Sequence, residues 1–287
     1  MSGFSTDWLR LREPHDAAAR AVQLADYLPR AAHAERSIVD LGAGTGANLR
    51  YLAPLLGGTQ DWLLVDHDPA LLAAAPGEIA AWAPTIGARS TSGDGAAMVT
   101  AAAFRCRIRV RASNLADELD ALPIPEGALV TASALLDLVS PEWLHALATR
   151  CRAASANALF ALTYDGRMST SPADPDDELV RELVNEHQRT DKGIGLALGP
   201  GAVQAAVRVF SLFGYEVKTL QSDWQIPADA RALQRVLITG WHDAGCAIAP
   251  KRAAALARWR RRRLEHVERG AATLRVGHVD LAARLAR

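Results

Sequence analysis

Residues 38–46 constrain the fold more than any other part of this 287-residue sequence. They read IVDLGAGTG, so that two β-branched residues and an acid lead into three glycines at alternate positions. Residues 47–52 then take up the periodicity of a helix. The pattern predicts a strand, a glycine turn and a helix N-terminus, because glycine permits positive φ and the first N–H groups of a helix point outward. Such a turn suits a nucleotide-like ligand.

Strand and helix signals alternate along most of the chain. Strands are predicted at residues 62–65, 105–111, 128–132, 158–163, 215–221 and 273–280. The run RCRIRVR at 105–111 alternates arginines with apolar residues, which indicates one solvated face and favours a sheet edge. Before it, an irregular stretch is expected from residue 84 and a short helix over 98–104. The alternation predicts a single α/β domain over residues 1–287 with a mostly parallel sheet.

Three segments lie outside this alternation. Residues 1–36 are expected to form helices that are either a flap over a site or simply docked on the sheet. Residues 165–200 follow the C-terminal end of a strand, where α/β sheets bind ligands, and are expected to be a substrate lid. Residues 228–270 are expected to be a helical insertion before the last strand.

Composition excludes several classes of function. Lys plus Arg and Asp plus Glu both number 32, so the net charge is zero and a nucleic acid or anionic lipid would need a local patch. The three cysteines lack paired short spacing, and no metal site is expected. The N-terminus is charged instead of resembling a signal segment, and no apolar run is long enough to span a membrane, so a cytoplasmic protein is expected.

The acid-x-Gly-x-Gly-x-Gly pattern and the order of elements resemble the class I S-adenosylmethionine-dependent methyltransferases. The motif is formed by Asp40, Gly42, Gly44 and Gly46, and the resemblance covers residues 37–221 and, with the closing strand, nearly reaches the C-terminus. It implies a doubly wound, seven-stranded, Rossmann-like sheet whose last strand is antiparallel, with S-adenosylmethionine as cofactor. It also implies that the glycines and Ala43 approach the methionine and ribose of the cofactor. Asp40 would orient the turn or meet the amino group through water.

The same resemblance assigns further residues at the ends of later strands. Asp66 ends the second strand, where a carboxylate accepts hydrogen bonds from both ribose hydroxyls. His67 would lie beside the adenine, and Asn114 would either receive the adenine amino group or be a plain turn residue. Ser133 lies in the segment expected beneath the cofactor. Asp137 would point toward the substrate or cap a turn.

A dinucleotide-binding oxidoreductase is the main alternative. The residues from Gly42 to Ala47 also satisfy a GxGxxA fingerprint, and Asp66 stands where an NAD(P)-dependent enzyme keeps its ribose acid. Asp40, Gly46 and the helices before the first strand favour methyl transfer. A non-catalytic S-adenosylmethionine-binding protein would keep the same pocket.

The acceptor side is less explicit in the sequence. Methyl transfer from a sulfonium is an in-line displacement that depends on alignment and water exclusion, and a general base is needed only where the acceptor must lose a proton. Candidate catalytic residues in or beside the expected lid are His187, Asp165 and Tyr164. Candidate substrate-binding residues are Asp137, Arg189, Asp191 and Lys192. The residues of the lid could equally be surface residues of a charged helix.

A nucleic-acid methyltransferase is the other enzymatic alternative, because residues 258–263 form a basic run. Leu256, Trp259 and Val267 lie near one helical face of this segment, and Glu265 and Glu268 dilute its charge. The Asn/Asp-Pro-Pro-aromatic segment of many amino-group nucleic-acid methyltransferases is absent after the fourth strand. A small-molecule acceptor with an oxygen or nitrogen nucleophile is therefore favoured.

Overall fold

A ten-stranded mixed sheet with helices on both faces runs through the described part of the chain. The computed structural model describes residues 5–28, 35–93 and 95–286. Residues 1–4 and 29–34 of the expected N-terminal flap lie outside the described residues.

The strands are numbered β1 to β10 in chain order. They are β1 Glu35–Leu41, β2 Gly58–Asp66, β3 Arg89–Gly93, β4 Ala96–Thr100, β5 Phe104–Ala112, β6 Leu129–Ser133, β7 Asn157–Ser171, β8 Tyr215–Gln221, β9 Trp224–Ile226 and β10 Thr273–Leu285. The helices are α1 Thr6–Ala19, α2 Gln23–Tyr27, α3 Ala47–Leu56, α4 Pro69–Trp82, α5 Pro141–Ala153, α6 Asp177–His187, α7 Ala202–Leu212, α8 Arg231–Ile248 and α9 Ala253–Glu268.

The order across the sheet is β3-β4-β5-β2-β1-β6-β7-β10-β8, and β9 pairs with β10 beside this path. Strands β5, β2, β1, β6 and β7 are parallel to one another, whereas β4 is antiparallel to β5 and β10 is antiparallel to both β7 and β8. The expected antiparallel strand at 273–280 is thus confirmed. The expected count of seven is wrong, because β3, β4 and β9 bring the sheet to ten strands.

The region before β5 departs from the sequence expectations. Residues 89–100 form the antiparallel hairpin of β3 and β4, so the irregular stretch and the helix at 98–104 are both wrong. Strand β5 is not an edge, because β4 pairs with it. Alanine-rich local sequence favours a helix, but Ala97 and Val99 are buried in the core, and pairing with β5 satisfies the backbone.

Two helical layers flank the central strands of the sheet. On one face, α3 and α4 bury apolar side chains against β2 and β5, as Ile79 of α4 and Trp62 of β2 illustrate. On the other face, α5 and α7 pack against β6 and β7, where Phe210 lies 5.7 Å from Phe160 between ring centroids.

A third cluster joins α6 to the α8–α9 pair. Val180 and Leu183 of α6 are buried in one cluster with Ile238 and Trp259. The Trp259 Nε1 atom donates to Asp177 Oδ1 at 2.8 Å, at the first residue of α6. Within the segment 228–270, α8 and α9 lie between β9 and β10. The segment 165–200 is only partly a loop and helix, because residues 165–171 continue β7.

Strand β7 is irregular where it pairs with β10. Leu162 has a φ of 54°, and the pairing of β7 with β10 shifts register around it. The Asp280 carboxylate accepts from the backbone N–H of Leu162 at 2.7 Å and from that of Ala21 at 2.9 Å. One buried acid thereby holds the bend in β7 and the segment after α1 in place.

Candidate functional site

The glycine turn lies between β1 and α3. Gly42, Gly44 and Gly46 have φ values of 65°, 53° and 81°, which explains why residues without a Cβ occur there. No side chain caps the N-terminus of α3. Its first N–H groups are therefore left for a ligand or water.

Asp66 ties this turn to the end of β2. Its carboxylate accepts from the backbone N–H of Gly44 at 2.8 Å and from that of Asp68 at 2.9 Å. The side chain is buried, and the oxygens of a carboxylate can accept further hydrogen bonds. Asp68 instead caps α4 by accepting from the N–H of Ala70 at 2.8 Å. The two acids at this strand end thus have different local contacts.

Asp40 lies beneath the turn and is completely buried. Its Oδ1 accepts from Asn48 Nδ2 at 2.7 Å, while its Oδ2 has no partner among the described residues. Burial raises the pKa of Asp40 to about 7, and the hydrogen bond from Asn48 opposes that rise. A buried carboxyl with one unpaired oxygen is a group that a ligand or a proton would satisfy.

The other sequence-predicted cofactor residues surround this turn. Ala43 is buried and its N–H donates to Val65 O at 3.0 Å. His67 is exposed, with its Nδ1 3.3 Å from Asp66 Oδ1. Asn114 turns its oxygen to the N–H of Ala116 at 3.1 Å and its nitrogen to Asp117 at 2.7 Å.

Helix α1 covers the turn. A Cβ placed on Gly44 would lie 3.0 Å from Leu9 Cδ1, so the helix touches the glycine. On one side Arg10 pairs with Glu78 of α4 at 2.6 Å, and on the other Glu13 pairs with Arg50 of α3 at 2.5 Å. The structure therefore places α1 over the glycine turn at the C-terminal end of β1.

Helix α1 and Arg20, the residue directly after it, bring charged side chains inward. Arg12 forms two hydrogen bonds to Asp16, at 2.8 and 3.1 Å, and lies 5.0 Å from the ring centroid of Trp224 in β9. Arg20 donates to Asn48 Oδ1 at 2.7 Å, and its Nε has no partner among the described residues. A cavity of about 240 Å³ lies here, lined in part by Asp16, Arg20, Asn48 and Ser133.

Asp137 lies at a second strand end of the candidate site, after β6. It follows β6 in a short 3₁₀ turn, is buried, and has an Oδ1 without a partner among the described residues. Burial raises its pKa to about 6, whereas backbone N–H groups and the nearby cations Arg12 and Lys192 oppose the rise. Such a carboxyl is poised to gain or lose a proton near neutral pH.

Tyr164, whose backbone hydrogen-bonds to Asp137, lies near a histidine and a tryptophan. The Tyr164 hydroxyl donates to Asn185 Oδ1 at 2.7 Å, which fixes the ring. The His278 ring lies between Tyr164 and Trp224, at centroid distances of 6.3 and 5.0 Å. Burial lowers the pKa of His278 to about 3, and its Nδ1 has no partner in the described chain. The histidine is therefore a neutral group at neutral pH.

The remaining residues predicted from the sequence lie at the end of α6 and the turn after it, or in β7. His187 Nδ1 lies 3.2 Å from Lys192 Nζ, and burial followed by this cation lowers the pKa of His187. Arg189 donates to the backbone of α6, and Asp191 accepts from the N–H of Gly193 within its own turn. Asp165 pairs with Arg167 at 2.5 Å.

Sequence reasoning missed the inward face of α1 and His278. Arg12, Asp16 and Arg20 recur every four residues, a spacing that places side chains on one helical face. This spacing was the available signal for the α1 residues. His278 carried no comparable signal, because its neighbours Tyr164 and Trp224 come from distant parts of the sequence.

The strand order, the antiparallel β10 and the glycine turn at the end of β1 define the fold of the class I S-adenosylmethionine-dependent methyltransferases. Among solved structures, a cyclopropane-fatty-acyl-phospholipid synthase-like protein from Lactobacillus casei superposes with a TM-score of 0.53 at 14% identity, over 98% of this chain and 94% of that one. A geranyl diphosphate C-methyltransferase from Streptomyces coelicolor gives a TM-score of 0.49 at 14% identity, over 98% and 86% of the two chains. No protein-family model and no curated protein matches the sequence.

Two further properties concern ligands and membranes. Within the described ranges, no group of three or more His, Cys, Asp or Glu side chains is arranged to hold a metal ion. No helix of those ranges is both long and apolar enough to cross a membrane.

Proposed function

We propose that this protein transfers a methyl group from S-adenosylmethionine to a small molecule through an oxygen or nitrogen nucleophile. The observation that carries the proposal is the buried Asp66 carboxylate, hydrogen-bonded to Gly44 of the glycine turn in a methyltransferase fold. A nearby carboxylate and a turn of positive φ are what a ribose and an adjoining amino acid group require.

The residues of the turn fit this cofactor. Asp66 would accept hydrogen bonds from the ribose hydroxyls, with His67 and Asn114 toward the adenine. Gly42, Ala43 and Gly46 would allow close approach of the backbone. Asp40 Oδ2 and Arg20 Nε are buried atoms without partners among the described residues, and they offer an acid and a cation to the zwitterionic methionine end. Ser133, on the wall of the cavity that Arg20 also lines, would contact the same end.

When bound, the cofactor supplies an electrophilic methyl group. The protein's part is then to align the acceptor, exclude water and receive a proton. Helix α1 excludes water by covering the turn through Leu9. Asp137 is the base that we assign to an acceptor O–H or N–H, since its pKa of about 6 leaves it largely ionised yet basic at neutral pH. Tyr164 would position the acceptor.

The lid would contribute to acceptor binding. Lys192 lies near both Asp137 and His187, so that a proton or an anionic substituent of the acceptor could be stabilised there. Arg189 and Asp191 would act at the outer part of this segment. We assign a lesser role to Asp165, because its carboxylate pairs with Arg167.

Calorimetry on the full chain tests the cofactor. We expect S-adenosylhomocysteine to bind at one site and NAD to give no heat of binding. Binding of NAD alone would instead support an oxidoreductase, for which the GxGxxA pattern is also suitable.

Methyl transfer itself needs a second measurement. The protein is incubated with methyl-labelled S-adenosylmethionine and the small-molecule fraction of a cell extract, and the labelled product is identified by its mass. A labelled product that disappears with the Asp66→Ala variant supports catalysis. Cofactor binding without any product from the wild type would favour a binding protein, and label in nucleic acid would favour the other enzymatic alternative.

A further inference from the structure

A row of arginines follows one face of β5. Arg105, Arg107, Arg109 and Arg111 alternate with the buried Cys106 and Ile108, which face the core beneath α3 and α4. Since successive side chains of a strand point to opposite faces, the four arginines share the other face. At about 3.3 Å per residue they stand roughly 6.6 Å apart and span roughly 20 Å.

Arg89 extends this row sideways. It pairs in register with Thr100 of β4, which in turn pairs with Arg105 of β5, so all three residues point to the same face. Adjacent strands are about 4.8 Å apart, which puts Arg89 roughly 10 Å from the β5 row. We call these five arginines the arginine face.

The sheet is left uncovered here by the connection from β5 to β6. Residues 113–128, all of them described, contain only the short 3₁₀ turn Leu119–Ala121, where a crossover of an α/β sheet ordinarily carries a helix. This connection reaches Leu63 and Val65 of β2, which are buried with Leu115 and Leu119. Arg89, Arg105, Arg107 and Arg109 are exposed, and Arg111 is partly so.

The charge of the arginine face is unbalanced. Only one ion pair is made by its members to the described residues, from Arg109 to Asp61 of β2 at 2.6 Å. The whole chain has 32 basic and 32 acidic residues, so a random face would mix the two signs. A solvated surface serves solubility best when both signs are interspersed, and this face is not of that kind.

The chemistry of the face favours a phosphate backbone over other anions. All five cations are arginine, whose planar guanidinium binds phosphate oxygens in pairs. Among the described residues, no large exposed apolar side chain lies on β3 or β4 or at an odd-numbered position of β5, where the arginines stand. The large exposed apolar residues are Val22, Leu55, Ile86, Val110, Leu196, Leu212 and Val236. Membrane-surface binding uses such apolar side chains, and single-strand binding uses aromatic ones for stacking.

We propose that the arginine face is a docking surface for the phosphate backbone of a nucleic-acid duplex, bound without regard to sequence. None of the five arginines is among the residues assigned to the Asp66 and Asp137 site, and this proposal does not depend on the methyltransferase activity. With three to four unpaired arginines engaged, the logarithm of the binding constant should fall with the logarithm of salt concentration with a slope near −3.

The test measures binding of a fluorescent 20-base-pair DNA duplex to the full chain between 50 and 200 mM salt. The variant Arg105→Thr/Arg107→Thr/Arg111→Thr keeps residues that suit a strand. We expect it to bind at least tenfold more weakly at 50 mM salt and to lose most of the salt slope. The control Arg258→Gln/Arg260→Gln/Arg261→Gln on α9 removes the same charge and should bind as the wild type does.

Three outcomes would overturn the proposal. One is no duplex binding by the wild type at 50 mM salt. Another is an equal loss with the α9 control, which would show that net charge alone drives association. The third is binding of vesicles containing anionic phospholipid, through the same arginines, more tightly than the duplex. If the triple variant fails to fold, Arg107→Thr alone should reduce the slope by about 0.9 and decides the question.

Discussion

The two halves of the candidate site, the glycine turn with Asp66 and the acceptor half around Asp137, differ in how their central carboxylates are held. At the glycine turn, the Asp66 carboxylate accepts hydrogen bonds from the backbone N–H groups of Gly44 and Asp68. In the acceptor half, Asp137 Oδ1 and His278 Nδ1 are buried and have no partner among the described residues. Unpaired buried groups cost free energy, and Asp40 Oδ2 and Arg20 Nε near the turn are also unpaired among the described residues, so a ligand would complete hydrogen bonds in both halves. The difference is that the fold already holds Asp66, whereas Asp137 keeps an oxygen without a partner in the described part of the chain.

The comparison predicts that the turn controls affinity for the cofactor, and removing Asp66 should have the largest effect. Asp66→Ala deletes a charged acceptor for two ribose hydroxyls, each bond being worth about 1.5 to 3 kcal/mol. We expect affinity for S-adenosylhomocysteine to fall about a thousandfold by calorimetry. Asp68→Ala removes a neighbouring acid that only caps α4, and should leave the affinity nearly unchanged.

The acceptor half should control the rate instead. Asp137→Asn keeps the shape of the side chain and removes the base, for which a loss in kcat of about a hundredfold is expected. In the wild type the rate should rise with pH through about 6, as the carboxyl ionises, and then level off. That inflection should vanish in the variant while cofactor affinity stays. The comparison fails if His187→Gln gives this result and Asp137→Asn does not.

The pH dependence of folding stability tests whether Asp40 is buried beneath the turn. Its folded pKa of about 7 exceeds the value near 3.9 of an unfolded chain, so the folded state holds the proton more tightly. Stability should therefore fall as pH rises, by about 2 kcal/mol between pH 5 and pH 7 for this group. Asp40→Asn should remove this part of the slope in denaturant unfolding. An identical slope in both proteins would mean that Asp40 is not desolvated.

The smallest expected effect is on the rate of cofactor dissociation, and it comes from a change in α1. Leu9→Ala withdraws the side chain that touches Gly44. We expect the cofactor to dissociate several-fold faster in stopped-flow measurements, with the chemical step little changed. Leu11→Ala alters the same helix at a residue packed against the cluster that contains Trp224 and Trp241, and serves as its control. Equal dissociation rates in the wild type and Leu9→Ala would show that α1 does not retain the cofactor.

The turn half could be predicted from the sequence because its parts are close in the chain or carry strong local signals. Glycines at alternate positions, an acid at a strand end and Asp68 before Pro69 each have a local physical cause. The acceptor half joins Arg12, Asp137, Tyr164 and His278, whose meeting depends on α1 and on β10 beside β7. No local pattern encodes such long-range contacts.

The same distinction explains the errors in the fold. The hairpin of β3 and β4 was missed because its strands are short and its residues small, so that only pairing with β5 defines them. The extension of β7 through residue 171 was missed because polar residues read as a loop, although β10 pairs with them. In each case a neighbouring strand overrode local propensity.

The attachment of α6 to the α8–α9 pair has a consequence for inheritance. The helix of the expected lid rests on that pair through Trp259 and Asp177, and neither helix of the pair supplies a residue to the glycine turn. Substitutions inherited in α8 and α9 would therefore alter the support of α6 without changing the contacts of Asp66 at the turn.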